Sequence, residues 1–475
     1  MAGREINEKL LRLAGFEDAA ALEEFLPDWL HCADTFGLSD EDVRFAVEEW
    51  IPDNWDVKYR GIRKMIGAWL RVLADLANTP KYKAEGKKIL YGILPSSLLP
   101  FDAFKFAGGD DVYVSFPDLT MIAVLNGFFH KAAPLLDKAE DAGFNYGCRH
   151  CPLNKLRYIG YKEDIIAAPD VIWVWGLACD EGPKTDEFIS NMVSEDWKCV
   201  ISRLPHDTCF DDDDVSEERV RYLSEVLHED IDKIADTLGI HPTDADFTKA
   251  QNDNRSRMFK VAQLTSLVCN SDPVPLGGND LTMISNGFAF PINGKIGYFD
   301  EALDILLKEI KAAIKAGEGI LPKGAPKIGN YFTSFCNPWI DRTLRKNGVA
   351  QTFCMTMTMT KKQLAPPQFT ENVYMSMAEN WLRNPMAENL KNEVDAMVEK
   401  VLANKPDGML MGFYDYDRWL GSHHKMAAEL IEKETGVPTY YIEGDCMDDR
   451  EYSYEALATR IESICEVMHM RKDAQ

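Results

Sequence analysis

The sequence is short of positive charge and has no long apolar segment. Its 52 lysines and arginines are outnumbered by 77 aspartates and glutamates, which gives a formal net charge of -25. This balance argues against nucleic acid or an anionic membrane as the main partner. No uninterrupted apolar run approaches the roughly 20 residues that a membrane-spanning helix needs, and residues 1–15 contain no signal-peptide h-region. We therefore expect a cytoplasmic protein with neither nucleic acid nor membrane as a partner.

The ligand spacing of a structural zinc site is also missing, although the chain contains eleven cysteines. Cys148 and Cys151 form a C-x-x-C, with no second such pair and no closely spaced histidines. Cys179 follows the apolar run Pro169–Ala178, which predicts a buried strand. Three thiolates that converge at a strand end suit a soft metal or an iron–sulfur cluster. For the pair alone, a redox couple, half a zinc site and two unrelated thiols stay open as alternatives.

The order of the predicted elements indicates an α/β protein. Residues 1–85 show the apolar spacing of helices, and the chain is long enough for two or three domains. From residue 86 onward, short apolar strands alternate with helices, which is typical of parallel sheets covered by helices on both faces. One long helix is expected over Thr120–Ala142. The predicted strands cover residues 89–94, 112–117, 169–178, 198–204, 327–332, 349–358, 408–414 and 438–443.

Several short motifs follow one another from about residue 86 to the C-terminus. Cys151 is followed by Lys155 and Ile159-Gly160, and the next predicted strand begins with Pro169-Asp170 and ends at Cys179. The later motifs are Asn330–Phe335, Pro406–Leu410, Gly436–Asp445 and Thr459–Ser463. In this order and spacing they resemble the 2-hydroxyacyl-CoA dehydratase/benzoyl-CoA reductase superfamily.

The resemblance implies two flavodoxin-like parallel-sheet domains with a [4Fe–4S] cluster between them. We expect a helical N-terminal segment over residues 1–85, a first α/β domain with the cluster cysteines over 86–265, and a second α/β domain over 266–475. A homologous second subunit would complete a heterodimer, and a separate ATP-hydrolysing iron–sulfur activator would supply the electron. An acyl-CoA would bind in the cleft between the domains. The resemblance also allows a flavin, although no motif requires one.

The implied reaction is the elimination of water from a 2-hydroxyacyl-CoA. One electron reduces the thioester carbonyl to a ketyl radical, the hydroxyl leaves, and the electron is returned, so that the enzyme is a lyase. Two alternatives stay open. A benzoyl-CoA-reductase-like subunit would leave the electrons in its product, and a cluster-poor structural subunit would depend on a partner for the chemistry.

The implied cluster ligands are Cys148, Cys151 and Cys179. Family members have their third cysteine just after the strand that begins with Pro-Asp-Gly, and this chain has Asp417 in that loop. Either Cys148 supplies the third thiolate, or Asp417 binds iron through oxygen, or the cluster has been lost.

Three further residues are implied as catalytic. Ser97 and Asp102 lie where family members often have a serine and a glutamate near the active site, and His150 lies between two of the cluster cysteines. Each also has a structural alternative: Asp102 could be a carboxylate at a helix N-terminus, and His150 could be an exposed side chain.

Overall fold

The computed structural model describes residues 3–94, 97–144, 150–176, 179, 181–204, 213–332, 334–354, 358–384, 389–415, 418–450 and 452–474. Within these ranges, every helix is too short or too polar to cross a membrane. The strands are β1 (Lys88–Gly92), β2 (Val112–Ser115), β3 (Val171–Gly176), β4 (Cys199–Arg203), β5 (Lys327–Asn330), β6 (Ala350–Cys354), β7 (Gly408–Gly412) and β8 (Thr439–Ile442).

The eight strands form two parallel sheets with the same strand order. The first sheet has the order β2-β1-β3-β4 and the second has β6-β5-β7-β8, and all strand pairs are parallel. Strands such as β3 are buried almost throughout because helices cover both faces. In each sheet the connections change direction between the two central strands, where ligands of open α/β sheets bind at the carboxyl ends. The predicted α/β fold with two parallel sheets is confirmed.

The N-terminal segment is helical and packs against both halves of the chain. Its helices are α1 (Arg4–Leu13), α2 (Ala19–Thr35), α3 (Asp40–Phe45), α4 (Ile51–Asn54), α5 (Arg60–Ala77) and α6 (Thr79–Ala84). Trp50 and Trp55 each donate a hydrogen bond to the carbonyl of Gly127, at 3.0 Å. Gly61 of α5 lies so close to Leu306 that a Cβ there would be 2.5 Å from the leucine Cβ. The predicted helical character is confirmed, and the domain limits at residues 85 and 265 stay a prediction.

The helices of the first sheet are α7 (Leu98–Gly108), α8 (Pro117–Phe129), α9 (Ala133–Asp141), α10 (Pro152–Lys162) and α11 (Glu181–Phe188). The prediction of one helix over Thr120–Ala142 was wrong, because α8 ends before α9 begins. His130 adopts a left-handed conformation, with φ of 52° and ψ of 48°. Pro134 then starts the next helix, since proline has no backbone N–H to continue the preceding one.

The remaining helices connect the sheets and cover the second one. They are α12 (Glu217–Leu238), α13 (Asp244–Cys269), α14 (Gly278–Ala289), α15 (Ile296–Ala316), α16 (Trp339–Lys346), α17 (Lys361–Leu364), α18 (Val373–Leu382), α19 (Leu390–Asn404), α20 (Arg418–Thr435) and α21 (Tyr454–Asp473).

Candidate active site

Two of the predicted cluster cysteines lie at the carboxyl edge of the first sheet. Cys151 is the N-cap residue of α10, where Pro152 starts the helix. Cys179 lies between the end of β3 and the start of α11. Burial raises the pKa of the Cys151 thiol well above its ordinary value, and the neighbouring Glu181 and Cys179 raise it further. The structure therefore brings these two thiols together, whereas Cys148 and Asp417 lie outside the described residues.

Glu181 connects the two cysteine loops. Its Oε1 accepts a hydrogen bond from the backbone N–H of Cys151, at 2.9 Å, and lies 2.8 Å from Nδ1 of His150. Because a carboxylate only accepts, Nδ1 of His150 carries the proton in this contact. The predicted alternative of an exposed His150 is wrong, since the side chain is 28% exposed and paired. Glu181 was not among the predicted site residues, although an acid two positions after Cys179 at a helix start was a signal for it.

The start of α11 also contacts the sulfur of Cys179. The N–H of Gly182 donates to the Cys179 Sγ at 3.4 Å. A Cβ at Gly182 would lie 2.5 Å from Cδ1 of Ile93, so glycine allows the helix to approach the end of β1. Backbone N–H groups at a helix N-terminus stabilise negative charge. Two thiols and an N–H aimed at one sulfur are ligands of the kind that an iron–sulfur cluster takes. Both cysteines are partly exposed, and the described residues bring together no group of three or more Cys, His, Asp or Glu side chains that could hold a metal ion.

A buried ionic network fixes the helices that carry these loops. Arg157 of α10 pairs with Asp118 of α8, and its Nη2 lies 3.0 Å from Oδ2 of Asp186 on α11. All three side chains are fully buried. Two further hydrogen bonds complete the network. Nε1 of Trp197 donates to Oδ1 of Asp186 at 3.0 Å, and Nη2 of Arg157 donates to Oδ1 of Asn154 at 2.8 Å. The network therefore sets the position of α10, which begins at Cys151, relative to α11, which follows Cys179.

The second half of the chain reaches the same site through the loop after β8. The charge of Asp445 raises the pKa of both Cys151 and Cys336, each of which is raised first by burial. Tyr414 and Asp445 form an antiparallel bridge, and the N–H of Asp415 donates to the carbonyl of Gly444 at 3.0 Å. Asp415, the last described residue before Asp417, therefore lies beside Gly444 and Asp445.

Ion pairs hold this loop against the first sheet's helices. Arg450 pairs with Asp137. Its Nη2 lies 2.8 Å from Oε1 of Glu140 and 2.6 Å from Oδ2 of Asp448. Glu140 also accepts from Lys155, at 2.6 Å. Lys155, one of the residues that carry the family resemblance, thus shares Glu140 with Arg450, which comes from the other half of the chain.

Comparison with known proteins places this arrangement in a family. The family model described as 2-hydroxyglutaryl-CoA dehydratase, D-component, matches residues 119–468. That range covers both cysteine loops, all four strands of the second sheet and the loop around Asp445. The chain belongs to this family. The predicted relationship to the 2-hydroxyacyl-CoA dehydratases and the predicted hydro-lyase class are confirmed at this level.

Two curated relatives of this chain have more specific names. The (R)-phenyllactyl-CoA dehydratase alpha subunit of Clostridium sporogenes is 24% identical over 350 residues, which are 72% of this chain and 82% of that protein. The (R)-2-hydroxyisocaproyl-CoA dehydratase alpha subunit of Clostridioides difficile is 24% identical over 411 residues, 83% of this chain and 94% of that protein. Each name describes one subunit of a larger enzyme.

The family resemblance implies that Ser97 and Asp102 are catalytic. They lie on either side of the first turn of α7. Ser97 is the N-cap residue, without a side-chain capping bond, and lines a cavity. Asp102 lies one turn inside the helix, so the alternative of a helix-terminal carboxylate is wrong. Burial raises the pKa of Asp102 to about 7, and the charged groups that act on it belong to α13. The structure thus places Asp102 against α13, and its catalytic role stays a proposal.

The raised pKa of Asp102 predicts how its replacement changes stability with pH. The folded state keeps the carboxyl proton up to about pH 7, whereas the unfolded state releases it near pH 4, so this residue lowers the free energy of unfolding as pH rises between these values. Because the side chain is partly exposed, screening by solvent limits this effect on the free energy of unfolding to about 1–2 kcal/mol. Asp102→Asn should therefore stabilise the protein by that amount at pH 8 and have little effect at pH 4, measured by urea unfolding.

Asp304→Asn is the matched control, because Asp304 is half exposed and pairs with Lys260 on the surface. It should change the free energy of unfolding by less than about 0.5 kcal/mol at either pH. Equal effects of Asp102→Asn at pH 4 and pH 8 would show that the carboxyl titrates normally.

Proposed function

We propose that this chain is the cluster-holding subunit of a 2-hydroxyacyl-CoA dehydratase, with Cys148, Cys151 and Cys179 as the thiolate ligands of a [4Fe–4S] cluster. The observation that carries the proposal is the placement of Cys151 and Cys179 at one sheet edge, linked by Glu181 and faced by Asp445 from the other half of the chain. The alpha-subunit names of the relatives support a homologous second subunit, hence a heterodimer, and an ATP-dependent iron–sulfur activator belongs to the same proposal.

When bound, a cluster with three thiolate ligands supplies one electron at low potential and one open iron that polarises the substrate oxygen. The residues around the thiols suit this task. The charge of Glu181 lies next to Cys151, whose pKa it raises. A carboxylate near a redox centre disfavours a further negative charge, so Glu181 favours a low reduction potential. Burial raises the pKa of Asp445 well above its ordinary value, so Asp445 contributes little to this effect.

His150 is proposed to move a proton during elimination. Its Nδ1 is held by Glu181, which fixes the ring orientation as a carboxylate does for a catalytic histidine. The reaction breaks the C2–O bond and a C3–H bond and releases water, so one group must donate a proton to the departing hydroxyl. We assign this donation to His150 in its imidazolium form, which gives up the Nε2 proton and keeps the Nδ1–H on Glu181. Ser97 and Asp102 stay candidates for substrate contacts on the same side of the first sheet.

The third cluster ligand is assigned to Cys148 rather than Asp417. Cys148 is three positions before Cys151, a spacing that lets two cysteines bind one cluster. Thiolate is also the softer ligand and the usual one for iron–sulfur clusters. Asp417 remains the alternative, because its loop starts next to Asp445.

Iron and acid-labile sulfide in protein purified without oxygen test this proposal, with Mössbauer spectra to identify the cluster. About four irons per chain are expected in the wild type. Cys148→Ala, Cys151→Ala and Cys179→Ala should lose most of this iron, because each removes a ligand, whereas Asp417→Ala should keep it. Cys465→Ala is the matched control, since Cys465 is buried in the core, on α21.

Zinc in place of iron, or no metal in the wild type, would exclude the radical mechanism for this subunit. Iron lost in Asp417→Ala and kept in Cys148→Ala would reverse the ligand assignment. Electron counting during turnover separates a dehydratase, which returns its electron, from the reductase alternative, which consumes electrons in proportion to product.

A further inference from the structure

A cavity of about 320 Å³ opens at the surface of the N-terminal segment. Its walls are the turn between α1 and α2, the start of α2, one side of α5 and the start of α15. Most of its lining belongs to residues 14–71, which precede the range 119–468 that the family model matches. The cavity is therefore separate in sequence from the cysteine loops and from the region that defines the family.

Three basic side chains line this cavity, and two of them are already paired. Nε of Arg60 donates to Glu17 at 2.9 Å, and Nζ of Lys64 lies 2.8 Å from Oε1 of Glu301. Arg71 differs from both, because it makes no hydrogen bond and no ion pair with any residue that the structure describes. The cavity therefore presents one cation whose hydrogen-bonding capacity the described protein leaves unused.

Three aromatic rings hold the guanidinium of Arg71. Its central carbon lies 4.2 Å from the ring centre of Tyr298, 4.4 Å from that of Phe16 and 4.7 Å from that of Phe25. Rings that contact the flat faces of a guanidinium leave its N–H groups pointing outward at the edge. The side chain is half-buried, and none of its nitrogens is sealed from solvent. A ligand in the cavity can therefore reach these N–H groups.

The surroundings of Arg71 favour an anionic ligand. Burial lowers the pKa of its guanidinium from the ordinary value, because a cation loses hydration there. The carboxylate whose charge acts on it is that of Glu24, an exposed residue of α2 that makes no hydrogen bond to it. A carboxylate ligand that accepts two parallel N–H bonds would supply what the neighbouring side chains do not.

The rest of the lining selects the kind of anion. Three carboxylates offset the three cations, and they belong to Glu17, Asp18 and Glu301. A ligand with several negative charges would be repelled by them, whereas a single carboxylate can pair with Arg71. Ala21 and the ring of Tyr298, which is 41% exposed, add an apolar wall. The volume is at the lower end of the roughly 300–1,000 Å³ of ligand pockets, which suits a small organic molecule.

We propose that this cavity binds a small monocarboxylic acid, with its carboxylate paired to the edge of the Arg71 guanidinium and its apolar chain against Tyr298 and Ala21. Such a ligand contacts α2 and α5 of the N-terminal segment together with α15 from the second half of the chain. Because it binds only the folded arrangement of these helices, it also stabilises the protein. The inference is independent of the function proposed for the cysteine loops.

Saturation-transfer-difference NMR with pentanoate tests the site in the purified protein. The wild type should bind pentanoate with a Kd of about 1 mM, and pentanamide, which has the same shape without the charge, at least about tenfold more weakly. Arg71→Met should raise the Kd for pentanoate at least about tenfold. Arg71→Lys should raise it about three- to fivefold, because lysine keeps the charge and loses the planar fork. Glu24→Gln should lower it about twofold, because it removes a competing charge.

Two further variants serve as control and as independent test. Arg255→Met is the matched control, because Arg255 also lies over an aromatic ring, 5.4 Å from the centre of Phe259, but outside this cavity. Its Kd for pentanoate should equal that of the wild type. Ala21→Phe fills the cavity from its half-exposed wall and leaves Arg71 in place, so it should abolish binding. This variant keeps the test valid if Arg71→Met fails to fold, which urea unfolding shows.

Wild-type affinity for pentanoate in a folded Arg71→Met protein or in Ala21→Phe would overturn the inference, as would equal binding of pentanoate and pentanamide. The same rise in Kd in Arg255→Met as in Arg71→Met would also contradict it, since binding would then follow the net charge of the protein. Inorganic phosphate that binds more than about tenfold tighter than pentanoate, in an Arg71-dependent way, would replace the monocarboxylate by an inorganic oxyanion.

Discussion

Arg157→Met is expected to lower the free energy of unfolding by about 3–5 kcal/mol. The substitution leaves Asp118 and Asp186 buried without their shared cation, and a lone carboxylate in such a place is strongly penalised. Burial already raises the pKa of Asp118 to about 6 with the arginine present. Urea unfolding near pH 7 measures the change.

Two further variants separate this effect from an ordinary loss of an ion pair. Arg60→Met, which removes an exposed pair with Glu17, should cost less than about 1 kcal/mol. Combining Arg157→Met with Asp118→Asn and Asp186→Asn should recover part of the lost stability, because no buried charge is then left unpaired. A cost for Arg157→Met as small as that for Arg60→Met would show that water reaches the network.

The network also explains how the thiol loops keep their spacing without a direct bond between them. α10 begins at Pro152, directly after Cys151, and α11 begins at Glu181, after Cys179. Arg157 joins the two helices about one and a half turns further along. Glu181 makes the second connection, at the helix starts. The loops are therefore fixed from both ends, as a site must be if it is to hold ligands in one geometry.

The strands could be predicted because their apolar runs are local signals. All eight predicted strands exist, and the main errors are at carboxyl ends, such as β7, which ends at Gly412 rather than Tyr414. Five helices, α10, α14, α16, α17 and α18, were not predicted. α14 contains buried Asn279 and Thr282, which disrupt an amphipathic pattern and are satisfied by tertiary contacts, such as the bond from Asn279 to the carbonyl of Pro338 at 2.7 Å.

The site could be predicted only where its residues are close in sequence. The C-x-x-C and the cysteine after β3 were visible, and Glu181 could have been found beside Cys179. The partners of Cys151 from the other half of the chain carry no local signal. Arg450 contacts Glu140 across 310 residues, and Asn126 donates to the carbonyl of Met447 across 321. Such contacts follow from the packing of two sheets, which a single sequence does not specify residue by residue.

His424 is expected to account for much of the acid sensitivity of the second half of the chain. The side chain is fully buried, and both ring nitrogens lack a hydrogen-bond partner among the described residues. The rings of Tyr331 and Tyr414 pack against it, at 4.0 Å and 4.9 Å between centroids. Burial, and then the charge of neighbouring His423, lowers the pKa of His424 to about 3.

The folded state therefore keeps His424 neutral down to about pH 3, whereas the unfolded state takes up a proton near pH 6.5. The unfolded state binds more protons between these values, so the free energy of unfolding falls as pH falls, by about 1.4 kcal/mol per pH unit for this residue. His424→Phe keeps an aromatic ring between the two tyrosines and removes the titration. It should abolish about 2–3 kcal/mol of the loss in the free energy of unfolding between pH 6.5 and pH 4.5, measured by urea unfolding across that range.

His228→Gln is the control and should leave the pH dependence of the free energy of unfolding unchanged, because His228 is 55% exposed. Parallel curves for wild type and His424→Phe would mean that the imidazole is protonated in the folded protein, which its unpartnered position between two tyrosines makes costly.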